Sequence, residues 1–215
     1  TVRLWGPDKG LPVGDLGLPF DFDCVAGGVD RFYFGDQRGN VREFNPVAMK
    51  WESATKAHVG NVTAIATSRD GKRLASSGTD GVLMTWQVEG WKALVKSEGN
   101  GAEPREIRFS ANGNDLYLAM GNDVRAWMGG TAAPKSLYRN PKGVIATYDI
   151  SPDGKSLFVV DAGFVRFVDV GSGKEQSVTQ ASNPAKPLQS AWLPDGRVLL
   201  RKEEGLIVVL DGKLG

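Results

Sequence analysis

The sequence predicts an all-β fold, a β-propeller of four-stranded antiparallel blades, and two observations carry that prediction. Turn dipeptides recur at Asp70-Gly71, Asn112-Gly113, Asp153-Gly154 and Asp195-Gly196, about 41 residues apart, with Gly27-Gly28 one interval earlier. A period of ~40–45 residues with four strands per unit is the signature of propeller blades. Between the turns, alternating or apolar runs of strand length follow one another, and no long stretch of helical periodicity interrupts them.

Taken in order, TVRLW at the start reads as the third strand of a blade, and residues 11–18 as a poor fourth broken by Gly and Pro. FDFDCVA, RFYFGD, NVREFN and the stretch around MKWESAT make the next unit. VTAIATS, KRLASSG, VLMTWQV and WKALVKSE make the clearest one, with Asp80-Gly81 a further tight turn. PREIRFS, DLYLAMG, DVRAWMG and KSLYRN follow, then VIATYDIS, SLFVVDA, FVRFVDV and EQSVTQA, and last PLQSAWL, RVLLRKE and GLIVVLD. The expected organisation is one propeller domain over 1–215: a partial blade at 1–18, blades at 19–56, 57–98, 99–140 and 141–182, and an incomplete one at 183–215. That is about five to six blades in this chain.

The patterning has a physical cause. A small sheet cannot bury both of its faces alone, so inner strands such as SLFVVDA and LIVVLD are apolar on both sides and are covered by neighbouring blades, while radial closure leaves only short edges. At the turns, Asp-Gly and Asn-Gly tolerate positive φ, and a type I′ hairpin is expected at each.

Residues Ala57 to Gly90 resemble a repeat of the WD-repeat family at four positions: His58 before the first strand, Ser76 in the second, Asp80 in the following turn and Trp86 in the third. The resemblance implies a buried tetrad in which the Trp indole meets the Ser hydroxyl, the hydroxyl meets the His ring, and the ring meets the Asp carboxylate. The residue types suit a relay, since indole only donates, carboxylate only accepts, and Ser and His do both. Ala57 departs from the Gly usual in the family. Positions matching Trp86 hold Trp5, Phe44, Trp127, Val168 and Leu210, and those matching Asp80 hold Arg38, Gly121, Ala162 and Glu204. The tetrad is therefore complete once, and the other blades are expected to hold together mainly by packing.

Composition excludes little but points consistently. A formal net charge of +1 gives no global field toward nucleic acid or an anionic membrane. No apolar run approaches the ~18 residues of a membrane-spanning helix. The single cysteine, Cys24, cannot form an intrachain disulfide and reads as a small buried hydrophobe. With TVRLW already reading as the inside of a repeat, localisation stays open.

Ser76, His58 and Asp80 supply the residue types of a hydrolase triad, but the resemblance puts Ser76 inside a strand, and no oxyanion donors or cleft are signalled. One His and one Cys exclude a His/Cys zinc cluster, and no loop resembles an EF-hand, so neither metal nor cofactor is expected. Glu203-Glu204 reads as a solvated turn. The glycines of GVDRFYFGDQRG flank strands and do not open a helix, which argues against a phosphate loop. Arg3, Arg42, Arg125 and Arg166 recur at or near a VR step in third strands, where a packed stem with a paired head group is expected ahead of base stacking.

What the resemblance implies is a rigid, non-catalytic platform for protein partners. Docking is expected on the face carrying the second-to-third-strand and fourth-to-first-strand loops, which would include Asp36, Gln37, Arg38, Asn61, Thr79, Asn122, Asp161, Lys202 and Glu203. Two alternatives stay open: a hydrolase or lactonase with a site in the central tunnel, and a purely structural part of a larger protein or assembly. TVRLW and GLIVVLD are both third strands and cannot merge into one regular blade, so either one terminal strand is redundant or, the favoured expectation, further blades from missing sequence, a neighbouring domain or another chain complete the ring.

Overall fold

The computed structural model describes residues 2–5, 12–17, 20–97, 103–129, 134–161, 164–180, 187–193, 195–202 and 207–211. Strands β1 (Val2–Trp5) and β2 (Pro12–Leu16) form an antiparallel pair. Four four-stranded sheets follow: β3 (Phe22–Gly27), β4 (Phe32–Asp36), β5 (Asn40–Asn45), β6 (Lys50–Lys56); β7 (Val62–Thr67), β8 (Arg73–Gly78), β9 (Leu83–Gln87), β10 (Lys92–Lys96); β11 (Glu106–Phe109), β12 (Leu116–Met120), β13 (Asp123–Trp127), β14 (Lys135–Arg139); and β15 (Ile145–Ile150), β16 (Ser156–Asp161), β17 (Phe164–Asp169), β18 (Glu175–Gln180). A three-stranded sheet of β19 (Pro187–Trp192), β20 (Arg197–Lys202) and β21 (Ile207–Asp211) ends the described chain. In each sheet, strands adjacent in sequence are adjacent in space and antiparallel. Among the described residues no helix is long and apolar enough to cross a membrane.

Successive sheets meet through their first strands, β3 against β7, β7 against β11 and β15 against β19. The second strands β4, β8, β12 and β16 are buried nearly throughout, while β6 alternates and β10 is largely exposed, so the fourth strands of these sheets lie toward solvent. The apolar core consequently lies between sheets. Tyr33 and Val41 of one sheet pack with Val62, Ile65, Leu74 and Trp86 of the next. Tyr117, Val124 and Ala126 likewise pack with Tyr148, Leu157, Val159 and Val168. Each such side chain stabilises by about 1.5–3 kcal/mol only while its neighbouring sheet is present. Tyr148 also bridges the gap with its hydroxyl, which donates to the Tyr117 carbonyl at 2.6 Å.

The first-to-second-strand turns differ from the expected two-residue hairpins. Ser68 Oγ donates to Asp70 Oδ1 at 2.6 Å and accepts the Arg73 N–H at 2.9 Å, which closes a four-residue loop. The same bonds recur from Ser110 to Asn112 and Asp115, and from Ser151 to Asp153 and Ser156. A serine two residues before the Asp or Asn satisfies both the side chain and the incoming strand, and this outcompetes the tighter turn. The following glycine takes the positive φ, 70° at Gly71, 71° at Gly113 and 74° at Gly154.

Candidate functional site

The loop from β6 to β7 carries His58, which the structure brings together with Ser76, Asp80 and Trp86. Trp86 Nε1 donates to Ser76 Oγ at 3.1 Å, His58 Nε2 lies 2.8 Å from the same oxygen, and His58 Nδ1 lies 3.1 Å from Asp80 Oδ1. Because the carboxylate can only accept, the proton sits on Nδ1, Nε2 is the acceptor, and Ser76 donates to it. Burial holds His58 below its ordinary pKa, against the opposing pull of Asp80, so the ring is neutral. Burial alone would raise Asp80, but the Val59 and Val82 N–H groups and His58 outweigh it and keep the carboxyl low. Ser76 is 0% exposed with its hydroxyl engaged on both sides, so it cannot meet a substrate. The next loop upstream supports this one, since the Gly39 carbonyl accepts both the Ala57 and His58 N–H groups. Gly39 has φ 80°, and a Cβ there would lie 2.1 Å from the His58 carbonyl oxygen.

Two expected docking residues point the other way. Asp36 and Asp161 are buried, each at the end of a second strand, and neither carboxylate reaches the loop surface. Asp36 receives Arg42 Nε at 2.8 Å together with the Asn40 side chain and the Arg38 and Asn40 N–H groups. Asp161 receives Arg166 Nε at 3.0 Å and the Tyr138 hydroxyl of the preceding sheet. Asp123, not singled out from sequence, makes a third such pair, with Arg125 Nε at 2.9 Å, Arg139 Nη2 at 2.8 Å and Ser136 Oγ at 2.7 Å. The reason is the VR arginine, whose stem packs along the third strand and whose head pulls the carboxylate inward. These blades are thus clamped by polar groups as well as by packing. Arg42, Arg125 and Arg166 stand opposite Phe34, Leu118 and Val159, while Met84 stands opposite Ser76. Each of these four blades therefore has either the tetrad or the Asp–Arg pair.

The remaining candidates lie at the loop end of the sheets. Gln37, Arg38, Thr79 and Asn122 are exposed. Gln37 and Asn61 donate to the two oxygens of Asp23 at 3.0 and 3.1 Å, and Thr79 Oγ1 accepts the Asn61 N–H at 3.1 Å, so these loops form one connected cluster. Asn122 instead donates to the Asn140 carbonyl at 2.9 Å. Lys202 is the last residue of β20, with its side chain outside the description, as are those of Arg3 and Trp5. Ala162, Glu203 and Glu204 lie outside the described residues. Sequence reasoning missed Asp23, Asp123 and Asn140; the GNDVR string was a usable signal only for Asp123. Among the described residues no group of three or more His, Cys, Asp or Glu is gathered to hold a metal.

No family model matches the chain. A p21-activated protein kinase-interacting protein 1-like protein of Xenopus laevis is 30% identical over 141 residues, which is 65% of this chain and 38% of that protein. Small ribosomal subunit protein RACK1y of Oryza sativa subsp. japonica is 33% identical over 88 residues, 41% of this chain and 26% of that protein. The chain thus spans well under half the length of these relatives. Among solved structures, the β-propeller domain of Cps50 (Swd1) from Myceliophteria thermophila superposes with a TM-score of 0.79 at 14% identity, covering 92% of this chain and 67% of that one. At that identity the likeness establishes the fold, a β-propeller.

Proposed function

We propose that this chain, a WD-repeat β-propeller, is a non-catalytic scaffold that docks protein partners on the face bearing the β4–β5, β8–β9 and β12–β13 loops and the loops between blades. The observation that carries the reading is that Gln37, Arg38, Thr79 and Asn122 are exposed at matching places on successive sheets, while Asp36 and Asp80 brace the β4–β5 and β8–β9 loops by accepting their backbone N–H groups. A surface held this way loses little conformational freedom on binding, and that loss is a main cost of association. The relatives are consistent with it: one is named for interaction with a kinase and another as a ribosomal subunit protein.

The test is a quantitative pull-down in which the partner recovered with the unmodified chain is measured against two double variants. Arg38→Glu with Thr79→Arg should weaken capture, and Lys155→Glu with Lys174→Glu, in turns at the opposite end, should leave it unchanged. Loss only with the second pair would place docking on the other face. Because interface energy concentrates in few residues, most single substitutions on the loop face should be nearly silent.

A further inference from the structure

The loop between β6 and β7 gathers three cations on the loop face. Lys56 and Lys96 end the fourth strands β6 and β10, Arg38 stands in the β4–β5 loop, and all three are exposed. Lys56 Nζ donates to the Arg38 carbonyl, which ties those two residues together. Burial first, against Asp80, holds the His58 pKa down, and the charges of Lys96 and then Lys56 add to it, so both amines lie near this one loop. None of the three cations has a carboxylate partner among the described residues.

The carboxylates nearby are engaged or stand elsewhere. Asp80 takes His58 Nδ1 and the Val82 N–H on one oxygen and the Val59 N–H on the other, and Asp36 is matched by Arg42. Asp21 and Asp23 stand at the start of β3, and Glu103 with Arg105 shortly before β11, on the first strands through which the sheets meet. Three strand spacings of ~4.8 Å separate β3 from β6, so ~14 Å lies between Asp23 and Lys56, beyond the ~10 Å over which exposed charges interact at about 0.1 M salt. On these blades the face is thus basic toward the fourth strands and acidic toward the first. Val59 follows His58 in the loop and is 80% exposed. Asp80 holds its N–H at 2.9 Å, the Gly39 carbonyl holds the His58 N–H at 3.0 Å, and Thr79 Oγ1 holds the Asn61 N–H at 3.1 Å. An aliphatic side chain fixed from both sides loses little freedom when a partner covers it.

We infer that this rim docks an acidic segment of a partner protein, in which carboxylates alternate with aliphatic side chains. The carboxylates meet Arg38, Lys56 and Lys96, and an aliphatic group covers Val59. This names the partner chemistry for the docking face proposed above and rests on that reading. A protein segment fits better than a nucleic acid, since Arg38, Lys56, Val59 and Lys96 include no ring to stack a base, and a net charge of +1 gives no extended field for a polyphosphate.

The experiment titrates the full chain into three fluorescein-labelled probes at low salt and follows anisotropy: Gly-Glu-Leu-Glu-Leu-Glu-Gly-amide, the same peptide with Gln for each Glu, and a single-stranded oligothymidylate. The Glu peptide should bind about tenfold tighter than the Gln peptide, and the difference should shrink at about 0.5 M salt. Lys56→Glu with Lys96→Glu should weaken it about tenfold and Val59→Ser about threefold, in proteins whose circular dichroism is unchanged because these sites are exposed. Lys155→Glu with Lys174→Glu, at the opposite end, should leave it unchanged. No binding at about 1 mM, equal binding of the two peptides, indifference to the Lys56 and Lys96 substitutions, or tighter binding of the oligothymidylate would each overturn the inference. The pull-down separates its failure from that of the docking face. Capture that survives Lys56→Glu with Lys96→Glu but is lost with Arg38→Glu and Thr79→Arg overturns the acidic segment alone, and capture lost only with Lys155→Glu and Lys174→Glu overturns both.

Discussion

Replacing His58 by Ala tests whether the tetrad is a structural clamp. The substitution removes the Ser76 hydroxyl's acceptor at 2.8 Å and the ring N–H that meets Asp80 at 3.1 Å. Ser76 keeps the Trp86 donor, and Asp80 keeps the Val59 and Val82 N–H groups, so neither is orphaned completely. A neutral hydrogen bond contributes about 1 kcal/mol and one to a charged group about 1.5–3, so with partial compensation the loss should be ~2–4 kcal/mol, read from urea midpoints. The pH dependence supplies a second readout, because His58 is the chain's single histidine. Its folded-state pKa lies below the ordinary 6.5, so on acidification the unfolded chain takes up this proton first. Its contribution is therefore fully present above about pH 6.5 and declines as pH falls below that value. The paired carboxylates act in the same direction but only near and below their ordinary 3.8. Between roughly pH 6.5 and 5, then, the native chain should lose stability relative to the His58→Ala variant, which shares every other titrating group, including Glu106 with its burial-raised carboxyl. A variant that loses less than about 0.5 kcal/mol and keeps the native slope would refute the reasoning.

Asp123→Ala should cost about 2 kcal/mol, the low side for a broken buried pair, since Arg125 and Arg139 can still reach water; denaturation of the variant at neutral pH checks it, and no loss would mean the pair is incidental. Burial pushes the Asp123 carboxyl up, but bonds from Arg139, Ser136 and Arg125 outweigh this, so its contribution holds above about pH 3.8 and is lost as pH falls further. Cys24, whose thiol burial pushes up to about 12, should resist thiol reagents at pH 8 until the chain is unfolded, and rapid labelling of the native protein would show that the β3–β7 contact is not closed.

The strands were legible because their signals are local. Period, alternation and turn residues lie within a few positions of one another, and each strand segment read from the sequence overlaps an observed strand. The turn type was less so: TSRDG, FSANG and ISPDG carry the serine that lengthens the loop, but its hydroxyl acts on a backbone group five residues away. The direction of the loop aspartates was hidden for a related reason. Whether a carboxylate faces water depends on an arginine at a varying offset, six residues from Asp36 to Arg42 and five from Asp161 to Arg166 across the turn, but two from Asp123 to Arg125 on the third strand itself. No fixed spacing exists to find. The basic rim was beyond reach altogether, since Lys56 and Lys96 come to one loop only when two blades stack.

The alternation between tetrad and Asp–Arg pair bears on what the loop face can offer. In the tetrad blade, Asp80 is satisfied by a neutral ring and two backbone N–H groups, and Met84 occupies the position that elsewhere carries the arginine. In the other three complete blades the aspartate is satisfied by that arginine, whose stem covers the blade as its head compensates the charge. Both solutions desolvate the carboxylate during folding. A partner covering Gln37, Arg38, Thr79 and Asn122 therefore need not strip water from Asp36, Asp123 or Asp161, because that penalty has already been met inside the free protein. What the second-to-third-strand loops leave outward is amide, hydroxyl and guanidinium, groups that bind through hydrogen bonds at modest desolvation cost. A shared, buried clamp beneath varied surface side chains lets those loops change their contacts without changing the blade that holds them.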